Sequence, residues 1–96
     1  EKIYNLILRA EGYQVKNKFG NYQVEPTSKA ARNNNPGNLK FAKWMTTPEF
    51  NAKKAEDGFA IFDSISKGKQ ALRRFIRSAK SKKGNLGEIE RMIADK

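Results

Sequence analysis

Apolar residues recur at Ile3, Leu6, Ile7 and Ala10, the spacing of one stripe on a helix, and predict a helix over residues 1–11. Gly12 follows as the residue that accepts a left-handed conformation and stops it. The same period returns over residues 64–82. There Ile65, Gly68, Leu72, Phe75, Ile76 and Ala79 share a face, with Lys67, Lys69, Arg73, Arg74, Arg77 and Lys80 opposite. Asp63 or Ser64 supplies the N-cap. Gly68 on the apolar face would let another backbone approach closely. A last helix is expected over 86–95, capped by Asn85, with Leu86, Ile89, Met92 and Ile93 turned inward.

Between the helices the helical period is lost. Tyr13, Val15 and the stretch 19–24 read as short strands, with Gly20-Asn21 as a hairpin turn. Pro26-Thr27-Ser28 breaks that pattern and leads into a short turn of helix. Residues 39–42 are expected to form a short strand, and residues 59–62 a buried one. Trp44, Met45 and Phe50 lie in an irregular stretch broken by Pro48, with Trp44 as a core filler. Residues 53–58 read as a polar turn. The expected class is α+β, mostly helical, as a single domain over 1–96. A short β/loop lobe lies between the first helix and the C-terminal helices.

Composition narrows the chemistry. Ninety-six residues suffice for one small domain, and ten aromatics compensate in part for a hydrophobic fraction of only 38%. The chain does not begin with Met, as expected of a processed chain or a piece of a longer protein. No apolar run is long enough to span a bilayer, so no membrane span is expected. With neither Cys nor His, thiol chemistry, disulfides, the usual zinc sites and a Ser-His-Asp mechanism are excluded. Carboxylates, Lys, Tyr and backbone groups remain, and no cofactor or metal is expected. The net charge of +10 favours polyanionic partners: nucleic acid, anionic lipid or anionic cell wall.

Two features carry candidate chemistry. Glu11 ends the first helix about 40° round from Ile7, at the edge of the apolar stripe. Partial burial and the negative end of the helix macrodipole both disfavour an anion there, which suits a general acid. The second feature is the run from Arg32 through Asn33, Asn34, Asn35, Pro36, Gly37 and Asn38 to Leu39. Pro36-Gly37 fits the centre of a type II turn, and the amides can bond the backbone or grip a neutral polar ligand such as a sugar.

Taken in order, Glu11-Gly12, the Asn-Asn-Pro-Gly-Asn core, Gly58-Phe59-Ala60-Ile61-Phe62, Asp63-Ser64 and Gly68 resemble lysozyme-like domains of phage structural proteins. The resemblance covers roughly residues 3–93 and implies a small lysozyme-like fold. It also implies cleavage of the β-1,4 MurNAc–GlcNAc bond of peptidoglycan, often as a lytic transglycosylase, with Glu11 as general acid/base. Asn34, Asn38 and Tyr22 would touch the sugar, Tyr22 near the oxocarbenium position. Peptidoglycan glycan strands and other virion proteins are the implied partners. The implied location is virion-associated, acting in the bacterial periplasm or cell wall. A hydrolase adds a second carboxylate about 5–9.5 Å from the first. No convincing second acid stands out, Glu25 being the nearest in the chain, which favours a transglycosylase. A muramidase-type hydrolase and a non-catalytic basic virion or nucleic-acid-binding module are the alternatives.

Overall fold

The computed structural model describes residues 2–81, so the helix expected over 86–95 lies outside the described residues. Those residues form an α+β arrangement of three α-helices and two small antiparallel sheets. Helix α1 spans Lys2–Ala10 and α3 spans Ile65–Ser81, with the β lobe between them in the chain.

Helix α1 is turned from its expected setting. Tyr4, Ile7 and Leu8 are its buried residues, while Ile3, Leu6 and Ala10 are only half-buried. Tyr4 joins Ile7 and Leu8 in the core, and the Arg73 guanidinium of α3 covers the Tyr4 ring at 4.3 Å. The turn places Glu11 in line with Tyr4, Ile7 and Leu8, one or two helical turns further on, instead of at the stripe's edge. The Glu11 N–H continues the helical ladder to Ile7 O at 2.9 Å, and Gly12 (φ +79°) ends it.

Strands β1 (Gln14–Lys16) and β2 (Tyr22–Val24) pair with Val15 opposite Gln23. Their connection is longer than the expected two-residue turn. Asn17 holds it, its Oδ1 accepting from Phe19 N at 2.9 Å and Asn21 N at 3.0 Å. Phe19, expected in a strand, lies in this loop and is exposed. Helix α2 (Lys29–Arg32) is the expected short helix after Pro26. Ser28 caps it by accepting from Ala31 N at 3.1 Å.

The asparagine-rich run begins as the C-terminal cap of α2. Asn34 is left-handed (φ 52°), and the Asn35 N–H bonds Ala30 O at 2.8 Å, closing the helix by a Schellman-type exit. The turn that follows is not type II. Asn38 N–H donates to Asn35 O at 2.8 Å, but the positive φ falls on Asn38 (47°), whereas Gly37 keeps a negative one. Asparagine tolerates this region because its short amide bonds locally. Gly37 leaves room for Leu72: a Cβ there would lie 2.6 Å from Leu72 Cδ1.

Residues 39–42 do not form a full strand. They make a single bridge, Lys40 to Phe59, flanked by Phe41 N to Gly58 O at 2.9 Å and Ala60 N to Leu39 O at 3.0 Å. The expected polar turn 53–58 is shortened by a strand, β3 (Lys53–Lys54), which pairs with β4 (Ala60–Ile61). The two lysines stay exposed while their backbone completes the sheet, which is how a charged dipeptide becomes an edge strand. Residues 43–46 form a 3-10 turn. Met45 and Phe50 are buried, while Trp44 is half-buried with its ring edge-on to Phe50 at 5.2 Å.

Helix α3 closes the core. Ser64, not Asp63, caps it, accepting from Lys67 N at 3.2 Å. Among its described side chains Gly68, Ala71, Leu72, Ile76 and Ala79 are buried, with Ile65 and Phe75 only half-buried. Gly68 meets the backbone of Asn34 so closely that an added Cβ would overlap Asn34's carbonyl oxygen. The close approach expected of Gly68 is thus made by the asparagine-rich loop.

Candidate functional site

Glu11 and Asn38 come together although 27 residues separate them. Asn38 Nδ2 donates to Glu11 Oε1 at 3.3 Å, and both side chains are half-buried. Helix α1 delivers the carboxylate at its C-terminal end, on the stripe that faces the core. The turn after Pro36 delivers the amide, because the left-handed backbone at Asn38 turns the chain there. Asn38 Oδ1 is buried and has no hydrogen-bond partner. A buried acceptor left unmade costs about 1–3 kcal/mol, so Asn38 is held at this position at a cost to the fold.

The remaining asparagines serve the fold. Asn35 is fully buried. Its Nδ2 donates to Leu39 O and Ala60 O, both at 2.9 Å, and its Oδ1 accepts from Leu39 N at 2.9 Å. It thereby stands in for a strand partner between the loop and β4. Asn34 Nδ2 donates to Phe62 O at 3.0 Å, and Phe62 N donates to Asn33 O at 2.9 Å. The NH2 group of Asn34, expected at the sugar, is therefore bound to the backbone. Tyr22 is exposed on β2, its ring covered by Arg9 of α1 with the guanidinium carbon 3.9 Å from the ring centre. That contact brings the hairpin against the helix that carries Glu11.

Three other acids are engaged elsewhere. Glu25 Oε2 accepts from the Thr27 hydroxyl at 2.6 Å and from Thr27 N at 3.0 Å, and these bonds hold its carboxyl below the usual range. Phe59 N and Lys29 do the same for Asp57, and Asn51 and Lys67 for Asp63. Asp57 and Asp63 are exposed and Glu25 is half-buried, and the lowered values favour the carboxylate form of each. Lys29 also lies 3.5 Å over the Phe59 ring, so its cation ties α2 to the turn that precedes β4. Near Glu11 in the chain, burial pushes the Tyr13 hydroxyl above its ordinary 10.0, which keeps it protonated at neutral pH. Among the described residues no three of His, Cys, Asp or Glu gather as a metal site, and no helix is long and apolar enough to cross a membrane.

Sequence reasoning missed two things here. It placed Asn34 and Asn38 alike, yet only Asn38 reaches Glu11. It also set Arg73, Arg74 and Arg77 on the basic face of α3 without a shape, and they line a groove with Gln70, Ser78, Phe50 and Glu49. The pairing of Arg74 with Trp44, at 4.7 Å, is the contact no local pattern announces. No family model, curated protein or solved structure matches the chain.

Proposed function

We propose that this chain is a small lysozyme-like domain that cleaves the β-1,4 MurNAc–GlcNAc bond of peptidoglycan as a lytic transglycosylase. The observation that supports it is the contact of Glu11 with Asn38 beside an unused buried acceptor. In this reading protonated Glu11 gives its proton to the glycosidic oxygen as the bond from C1 breaks. The carboxylate then takes the proton of the muramic acid 6-hydroxyl, whose oxygen closes on C1. No water is consumed, and Glu11 ends protonated as it began. Asn38 Nδ2 orients the Glu11 side chain through its 3.3 Å bond to Oε1. Tyr22 lies at the margin of the site, and Asn34 supports the loop from behind.

A single-acid scheme fits the engagement of Glu25, Asp57 and Asp63 in local bonds of their own. A muramidase-type hydrolase would need one of the other acids beside Glu11. The expected setting is a virion-associated protein acting on the periplasmic or cell-wall glycan. The test is digestion of purified peptidoglycan by wild type and by Glu11→Gln, with the fragments weighed by mass spectrometry. Anhydro-muropeptides from wild type alone are expected, with activity reduced at least about a hundredfold in the variant. Reducing ends would move the reading to a hydrolase. No release by a folded chain would leave a non-catalytic basic module.

A further inference from the structure

The loop that joins β1 to β2 is bonded within itself. Asn17 N donates to Asn21 O at 2.8 Å, and Gly20 N donates to Asn17 O at 3.0 Å. Asn17 Oδ1 takes the N–H groups of Phe19 and Asn21. The backbone donors of residues 17, 19, 20 and 21 are thereby satisfied without water. At the tip, Phe19 is 77% exposed. Two cations stand beside it. Lys18 Nζ lies 5.2 Å from the centre of the Phe19 ring, and Lys16 Cε lies 3.8 Å from where a Cβ on Gly20 would stand. Among the described residues neither lysine has an ion-pair partner. The segment from Gly12 to Val24 holds no acid, and the acids that flank it, Glu11 and Glu25, are bonded to Asn38 and Thr27.

We propose that this tip docks on the headgroup layer of an anionic lipid bilayer, with Phe19 entering the layer while Lys16 and Lys18 meet the phosphates. The internal bonds of the loop suit that occupant, because a poorly hydrated layer penalises unsatisfied backbone groups and the loop brings few. The exposed apolar residues also lie on every side. Tyr22 and Val24 share one face of the hairpin with Lys16 and Gln14, Val15 shares the other with Gln23, and Phe19 stands at the end. A folded partner or a second copy covers one face, whereas a fluid layer surrounds the tip. A second copy would also set like charges together. Lysine stems run along an apolar boundary and keep their ammonium groups among anionic headgroups. A nucleic-acid strand would meet the same lysines, but its bases stack on open ring faces. Here Lys18 lies over the Phe19 ring and Arg9 over the Tyr22 ring, and the valines have no part in stacking. The outer edges of the two strands limit entry to the loop, since their backbone groups need water. The inference requires no role for Glu11.

The test is co-sedimentation of the full chain with vesicles of phosphatidylcholine, alone or mixed with phosphatidylserine. Wild type is expected to bind the mixed vesicles only, with affinity falling as salt rises. Phe19→Ser should weaken binding about tenfold, whereas Phe19→Leu, apolar but without a ring, should stay within about threefold of wild type. Lys16→Gln with Lys18→Gln should weaken binding about tenfold or more. Lys53→Gln with Lys54→Gln removes the same charge from β3 and should change it less than about threefold. All five side chains are exposed, so the variants should keep the wild-type circular dichroism. Equal losses in the two lysine pairs would reduce the effect to net charge and overturn the assignment. So would absence of binding by wild type, or Phe19→Ser binding as wild type does. A Phe19→Leu loss as large as that of Phe19→Ser would assign the ring to stacking and overturn insertion, as would an equal effect of Phe19→Ser on binding of an oligothymidylate.

Discussion

The asparagine-rich loop and the β1–β2 hairpin distribute polarity in opposite ways. Residues 33–38 carry four amide side chains, yet Asn35, Pro36 and Gly37 are buried. The hairpin carries Val15, Phe19, Tyr22 and Val24, and all four are exposed. The difference is where each segment's hydrogen bonds go. Asn35 satisfies both ends of its amide on Leu39 and Ala60, so its burial leaves no polar group unmade. The hairpin spends its backbone bonds within itself, and its connection is held by its own Asn17. Its apolar side chains therefore have little of the body to pack on. Burial here follows connection to the rest of the chain more than hydropathy.

Asn35→Ala is the severest test of that comparison. It removes the amide partners of the Ala60 carbonyl and the Leu39 N–H in the interior, each worth about 1–3 kcal/mol, while Leu39 O keeps its bond from Ala60 N. A loss of about 4 kcal/mol is expected in urea unfolding, enough to unfold much of a domain this small. A loss below about 1 kcal/mol would mean that water replaces the amide and that the loop is not bound as described.

The glycines that seat the loop come next. Gly68→Ala sets a Cβ against the Asn34 backbone, which has little room to move, and should cost about 3 kcal/mol. Gly37→Ala meets only the end of the Leu72 side chain, which can rotate, and should cost about 1–2 kcal/mol. The order of the two matters more than either figure. If thermal melts ranked Gly37 above Gly68, the rigid contact would lie with Leu72 and not with Asn34.

What the sequence made legible follows the range of each interaction. The helices α1 and α3, the stop at Gly12 and the need for a small residue at position 68 are written in periodicity and residue type within a few positions. The rotation of α1 is not, because it is set by which of its apolar residues pack into the core formed with the rest of the chain. The strand β3 reads as a turn because Lys53 and Lys54 contribute only backbone to the sheet. Nothing local distinguishes Asn35 from Asn34 or Asn38. Asn35 is selected by the Ala60 carbonyl 25 residues away, and Asn38 by Glu11. The candidate site was legible as two motifs, and their contact only as an expectation.

The carboxylates near the ends of these segments give a smaller, pH-dependent effect. Glu25 leads from the hairpin into α2, and Asp57 and Asp63 flank β4. Their bonds lower all three below the ordinary values of 4.5 for Glu and 3.8 for Asp. A carboxyl lowered on folding adds stability that is present above the unfolded value and lost as pH falls through the folded one. Urea midpoints should therefore stay level as pH falls from 7 towards 4.5, and decline below it. Glu25→Gln should lower the plateau slightly and make the acid decline shallower. An unchanged acid limb would remove the Thr27 bonds from the account.

The smallest effect belongs to the hairpin. Phe19→Ser with Val24→Thr replaces two exposed apolar side chains and should move stability by no more than about 0.5 kcal/mol per site. Tyr22 is left intact in this variant, so its stack on Arg9 persists and the hairpin stays against α1. A loss above about 1.5 kcal/mol would mean that these residues are covered in solution. Dilution distinguishes how. A melting temperature that rises with protein concentration in wild type but not in the variant would identify a second copy as the cover. A concentration-independent midpoint, with the small loss expected, would leave the hairpin as apolar surface that contributes little to the stability of the fold, in contrast to the buried amide of Asn35.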